Sequence, residues 1–237
     1  MGELFDQVCQ FETLTLAAKR AFKGKQRKAR VMNCLFHQET EIFELQNCLR
    51  SGDYQPEPYR YFTVYEPKTR EIAAAHIKDR IVHHAICHVL GHHFDSVMLS
   101  NSYACRKTKG QHKAIQKAQK LSQKYQYVLK FDVRKYFASI DHGVLLGILE
   151  HIIPDEALFK LCKSIIQYPL LLSTGDGRGL PIGSLTSQYF ANLYLNVLDW
   201  YIAESLGELN FLRYMDDVLI FSDSKATLWG YLEEIEA

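Results

Sequence analysis

Hydrophobic and polar positions along the chain alternate between a helical and a strand period. Residues 3–22 and 36–50 repeat apolar side chains at helical spacing, and the second run closes at Ser51-Gly52-Asp53. Tyr59 to Glu66 alternates aromatic and polar residues, which predicts a strand. Pro67-Lys68-Thr69-Arg70 reads as a turn and Glu71 to Ala75 as the returning strand. Ile77, Ile81, Val82, Ala85, Ile86, Val89 and Leu90 predict an amphipathic helix over 76–93, and another covers 110–124. Tyr127 to Val133 is a short apolar run with Asp132 in it, the pattern of a buried strand. Asp141 is placed to cap a helix carrying Val144, Leu145, Ile148, Leu149 and Ile152, stopped by Pro154, and a further helix covers 155–167. Leu170 to Leu172, the glycine-rich turn to Gly179 and Leu180-Pro181 predict a hairpin. Thr186 to Leu206 predicts a long helix. Asn210 to Tyr214 and Val218 to Ser222 predict two apolar strands joined through Met215-Asp216-Asp217.

Composition narrows the class. The chain has 237 residues, 47% hydrophobic and 12% aromatic, with 28 basic residues against 27 acidic ones. That suits one large domain or two interleaved lobes, and neither a disordered chain nor a membrane span of ~18 apolar residues. The N-terminus lacks a basic-then-apolar leader, Asp6 stands where a myristoylation site wants Ser or Thr, and the six cysteines form no CxxC pair. These features predict reduced thiols, a cytoplasmic location and no membrane partner. The near-neutral total hides a segregation. Arg60 to Lys135 holds 15 Lys or Arg against 5 acids, and Tyr136 to Ala237 holds 5 against 14. One part is suited to a polyanion; in the other, carboxylates gather on a solvated face or around metal ions. Lys19 to Arg30 adds seven cations in twelve residues, a solvated helix end or a phosphate contact. His84, His88 and His92 recur at helical spacing, but without HExxH or a cysteine pair they suggest packing or nucleic-acid contact rather than zinc.

The carboxylates Asp132, Asp216 and Asp217 are the most informative residues. An Asp-Asp turn alone is ordinary turn chemistry. A third Asp at the end of another apolar strand changes this, because adjacent strands would bring all three to one point. Three converged carboxylates repel each other and require divalent cations, for which hard oxygen ligands select Mg²⁺ or Mn²⁺.

Phe211-Leu212-Arg213-Tyr214-Met215-Asp216-Asp217-Val218 resembles the YxDD motif of reverse transcriptases, and Phe131-Asp132-Val133-Arg134-Lys135-Tyr136-Phe137 resembles their first catalytic motif. Gly179-Leu180-Pro181-Ile182-Gly183-Ser184-Leu185-Thr186-Ser187-Gln188 resembles the motif between them. The resemblance implies an α+β, right-hand polymerase fold: a ferredoxin-like palm with interleaved fingers. It implies Asp132, Asp216 and Asp217 as catalytic, with Val133 beside them, holding two Mg²⁺ or Mn²⁺ ions. By the same resemblance, Tyr214 and Met215 complete the motif, and Lys68, Arg70, Phe137, Ile182 and Gly183 contact the incoming dNTP. Phe137 takes the position of a steric gate against ribonucleotides. Asn101 to Lys107 is similar to a template-contacting stretch, making Arg106 and Lys107 template contacts.

The middle motif departs from the common QGxxxSP: Ile182 replaces Gln and Gln188 replaces Pro. This IGxxxSQ form resembles the reverse transcriptases of diversity-generating retroelements. These copy a template RNA into error-prone cDNA with a small basic accessory protein. Partners implied are template RNA, a DNA or RNA primer and dNTPs, in a prokaryotic cell or phage. A retron-type or phage-defence enzyme and a catalytically silent nucleic-acid-binding remnant are the alternatives. The expected organisation is N-terminal helices and fingers over 1–106, palm over 107–142, a fingers/palm insertion over 143–182 and palm again over 183–237, with the thumb absent from this chain.

Overall fold

A computed structural model describes residues 2–24, 29–168 and 177–236. The chain divides into two compact units, each built from two separate segments: Met1–Phe94 with Phe137–Phe190, and Asp95–Tyr136 with Ala191–Ala237. The elements in chain order are α1 (Glu3–Val8), α2 (Phe11–Phe22), α3 (Ala29–Phe36), α4 (Gln38–Ser51), β1 (Arg60–Val64), β2 (Arg70–Ala74), α5 (Ile77–Val97) and α6 (Gln111–Lys124). There follow β3 (Tyr127–Phe131), α7 (Tyr136–Ser139), α8 (His142–Ile152), α9 (Glu156–Gln167), α10 (Leu185–Tyr194) and α11 (Asn196–Trp200). A π-helical segment (Tyr201–Ser205) leads to β4 (Phe211–Tyr214), β5 (Asp217–Ser222) and α12 (Lys225–Glu236). The fold is α+β. The predicted hairpin over 170–181 falls largely on 169–176, outside the described residues, as do Lys25 to Lys28 of the N-terminal basic cluster.

In the first unit, one predicted helix, 3–22, is in fact two. The chain leaves the helix at Cys9, and Gln10 takes an extended conformation. The break is compensated from outside the segment, since Gln46 on α4 donates to the freed Cys9 carbonyl at 2.6 Å. It lets α1 pack on α9 while α2 packs on α4. Asp155 caps α9 through the Ala157 and Leu158 amides and also accepts from the Phe5 amide at 2.8 Å, pinning α1 there. Asp141 caps α8 as its position predicts. The β1–β2 hairpin pairs Arg60 with Ala74 through Val64 with Arg70. Every β1 residue is exposed, because only the base of the hairpin is covered: Tyr59, Ala73 and Ala75 bury themselves with Tyr168 against them.

The second unit is built on a three-stranded antiparallel sheet in the order β3–β5–β4. The period-two pattern of its strands serves both faces. Leu212 and Phe221 pack with Tyr103, Ala114 and Leu121, the last two on α6. Phe211, Val218 and Ile220 face the other way, onto Ile202 of the π-helical segment and Leu228 of α12. Among the described residues no helix is long and apolar enough to cross a membrane, and none of the six cysteines is in a disulfide.

Candidate active site

Strand register brings the three carboxylates to one end of the sheet. β3 pairs with β5 so that Phe131 lies opposite Val218, and one further step sets Asp132 opposite Asp217. β4 and β5 close a tight hairpin on the Tyr214–Asp217 pair, leaving Met215 and Asp216 as its two turn residues. Thus Asp132, Asp216 and Asp217 gather at one end of the sheet, with Tyr214 and Met215 beside them. Asp132 and Asp217 are exposed and Asp216 is half-buried. Asp217 forms a 3.7 Å ion pair with Lys130, both mostly in solvent, a contact of small energetic value. Among the described residues, neither Asp132 nor Asp216 is in an ion pair.

This donor set fits Mg²⁺ or Mn²⁺. Such ions bind through one or two carboxylates plus water and substrate phosphates, not through an all-protein cage. Among the described residues no group of three His, Cys, Asp or Glu side chains is arranged to hold a metal ion, so the three carboxylates do not converge into one ligand cluster as the sequence led one to expect. The Tyr136 phenol is buried and donates to the Ala191 carbonyl. Burial pushes its pKa up, Arg213 opposes this, and the Asp216 carboxylate adds to the rise.

The turn itself is strained. Met215 has φ +56°, at the first turn residue of a two-residue hairpin, a place commonly given to glycine. A left-handed conformation costs a non-glycine residue about 1–2 kcal/mol. Cys105 and Lys135 also have positive φ. Beneath the turn lies Arg213, fully buried in β4. Its Nε and Nη2 donate to the two carboxylate oxygens of buried Asp199 at 2.7 and 2.6 Å. Its Nη1 donates to Asn192 Oδ1 at 2.7 Å and to the Met215 carbonyl at 2.9 Å. Nη2 also reaches the Asn192 carbonyl and Ser102 Oγ. Sequence reasoning missed Arg213, Asp199 and Asn192 as site residues. The available signal was a lone arginine inside an apolar strand, which requires a buried partner.

The other expected site residues divide between the units. Arg106 is committed internally: it pairs with Asp95 and donates to the Ser102 carbonyl at 3.1 Å, while Lys107 is exposed. In the first unit, Lys68 and Arg70 are exposed at the tip of the β1–β2 hairpin. The Ile182 carbonyl accepts from the Ala73 amide at 2.7 Å, which ties the middle motif to β2. Gly183 follows with φ +117°; a Cβ there would lie 2.8 Å from Ile72 Cγ2 and 3.1 Å from the Ala73 carbonyl oxygen. Phe137 is half-buried, its carbonyl accepting from the Leu180 amide, and Gln188 is exposed on α10. Beside the motif is a cavity of about 490 Å³ lined by Arg60, Phe62, Arg80, His83, Gly183 and Ser184. His83 Nδ1 lies 3.0 Å from Ser184 Oγ, and burial lowers its pKa to about 3.

A hairpin with an acidic tip, flanked by a strand that ends in a third carboxylate, is suited to binding divalent metal and phosphate groups. The family model for reverse transcriptase (RNA-dependent DNA polymerase) matches residues 65–237, and the chain belongs to that family. It is 23% identical over 172 residues to the group II intron-encoded protein LtrA of Lactococcus lactis subsp. cremoris, covering 70% of this chain and 29% of that protein. It is 28% identical over 176 residues to protein YkfC of Escherichia coli (strain K12), covering 69% of this chain and 46% of the relative. The chain therefore spans less than half the length of these relatives. A solved partial Cas6-RT-Cas1–Cas2 complex shares the fold at TM-score 0.57 and 19% identity, over 98% of this chain and 41% of its counterpart.

Proposed function

We propose that the protein is an RNA-directed DNA polymerase of the diversity-generating type, copying a template RNA into error-prone cDNA. The observation that carries the polymerase reading is the β3–β5 register, which sets Asp132 opposite the Asp216-Asp217 turn. In this reading the primer 3′-hydroxyl attacks the α-phosphorus of a dNTP and pyrophosphate leaves. Two bound Mg²⁺ or Mn²⁺ ions would supply an acidified hydroxyl and neutralise the leaving group. Asp132 and Asp216 would hold those ions, with the Val133 backbone beside them. Asp217, paired with Lys130, contributes charge at the edge of the cluster. Lys68 and Arg70 bind the triphosphate with charge-assisted bonds, and Phe137 packs under the sugar where a ribose 2′-hydroxyl would clash. Lys107 contacts template phosphates, with Arg106 supporting that loop from within.

The diversity-generating assignment rests on Ile182. A branched alkyl group there cannot hydrogen-bond, so selectivity falls on base pairing and shape. A small basic accessory protein, dependence on a template RNA and a cytoplasmic setting follow from this reading. A second reading, a group II intron-type or CRISPR-associated enzyme, is favoured by the names of the relatives. Sequencing cDNA made on an adenine-containing template separates the two, with Asp132→Ala as the blank. Elevated errors opposite adenine, reduced in Ile182→Gln, are expected. Uniform fidelity opposite all four bases would overturn the diversity-generating reading and leave the general one. Product from Asp132→Ala would overturn both.

A further inference from the structure

We propose that Arg213 is a positioning residue for the catalytic carboxylates: it fixes the Met215 peptide and thereby sets where Asp216 presents its carboxylate to metal. The proposal rests on the polymerase reading of that carboxylate site. Among the described residues Asp199 is the carboxylate that neutralises Arg213, taking both Nε and Nη2. Nη1 is then available for work other than charge balance, and one of its two bonds goes to the Met215 carbonyl at 2.9 Å. That carbonyl belongs to the peptide unit that contains the Asp216 nitrogen. Peptide planarity means that fixing the oxygen fixes the plane from which the Asp216 Cα departs. A charged donor makes this hold stronger than a neutral one would.

Arg213 is itself a rigid reference. Its amide donates to the Asn101 carbonyl at 2.9 Å, and its carbonyl accepts from the Tyr103 amide at 3.0 Å. Asn192, which accepts from Nη1, is anchored by donating to the Ala104 carbonyl at 2.7 Å. The turn that Arg213 holds has a left-handed methionine, a conformation that persists only when its surroundings impose it. Stability alone does not call for such a network, since apolar replacement of a buried ion pair is often neutral or stabilising. The geometry of the turn does.

Two variants test this. Arg213→Lys keeps a cation beside Asp199, but one ammonium lacks the fork needed to reach Asp199 and the Met215 carbonyl together. Arg213→Met/Asp199→Leu removes both buried charges and preserves apolar packing. For each, thermal melting, Mn²⁺ affinity from free-ion EPR, and kcat and KM for dNTP in primer extension are measured against wild type. Expected are a melting point near wild type, and Mn²⁺ affinity and kcat each about 10–100-fold lower. KM should stay within about threefold, as for a residue acting through the metal site rather than on substrate binding. A variant that melts near wild type and keeps both Mn²⁺ affinity and kcat overturns the proposal. So does a loss that merely follows the folded fraction as temperature is lowered. If wild type binds Mn²⁺ but extends no primer, the polymerase reading fails, and the Mn²⁺ affinities alone decide the role of Arg213.

Discussion

His83 and Phe137 each carry a consequence that a single substitution exposes. His83 is buried against Ser184, and burial lowers its pKa from 6.5 to about 3. The folded protein thus refuses a proton that the unfolded chain accepts below about 6.5. The stability from this histidine is complete above pH 6.5 and is lost as pH falls toward 3, by about 1.4 kcal/mol per pH unit. Denaturant titrations across that window should give a shallower pH slope for His83→Gln than for wild type; equal slopes would mean the imidazole titrates freely. Phe137→Ala should raise rNTP incorporation relative to dNTP about tenfold or more, a gap of about 1.4 kcal/mol in the barriers. An unchanged ratio would make the ring ordinary packing. The placement of the acidic trio at one end of the sheet was legible from sequence, because each Asp stands at the end of an apolar strand or in the turn between two. Arg213 was not, because its partner Asp199 sits in what reads as an uninterrupted helix.

Among the elements, Gly183 links the middle motif to β2. With φ +117° and Ile72 Cγ2 at 2.8 Å from any Cβ, Gly183→Ala should destabilise the protein by about 1–3 kcal/mol in chemical unfolding. A neutral result would show that the motif can move away from the hairpin. Elements governed by local chemistry were legible: Asp141 as a cap, α5, α6 and the acidic hairpin. Those decided by distant partners were not. The break between α1 and α2 has no glycine or proline and depends on Gln46. The run after Thr186 continues as helix through α10 and α11 but widens into π geometry at Tyr201–Ser205, just past buried Asp199. The strand of alternating aromatics forms, yet lies exposed throughout because, among the described residues, only the base of its hairpin is packed into a buried cluster. The adjacency of the two Asp-bearing strands was readable from their apolar patterns, but the residue-by-residue register of β3 on β5 was not.

For the whole molecule, charge segregation predicts how it meets nucleic acid. Lys113, Lys117, Lys120 and Lys124 follow one another at helical spacing on α6, in the same unit as the acidic hairpin. Binding of an RNA–DNA duplex should weaken steeply with salt, by about 0.9 log units per phosphate contacted for each log unit of salt. Filter binding over a salt series checks this, and a flat response would show that phosphate contacts do not drive the binding. The strand order β3–β5–β4 also has a consequence for biosynthesis. Among the described residues β3 pairs in its sheet with β5 alone, which follows it in the chain only after α7 to α11 and β4. While the ribosome translates the whole excursion from Phe137 to Phe190, β3 is an apolar segment without its neighbour. The sheet can therefore assemble only after the Asp216-Asp217 hairpin has emerged, so nascent chains halted before it should be held by chaperones, cleared by proteases or aggregate.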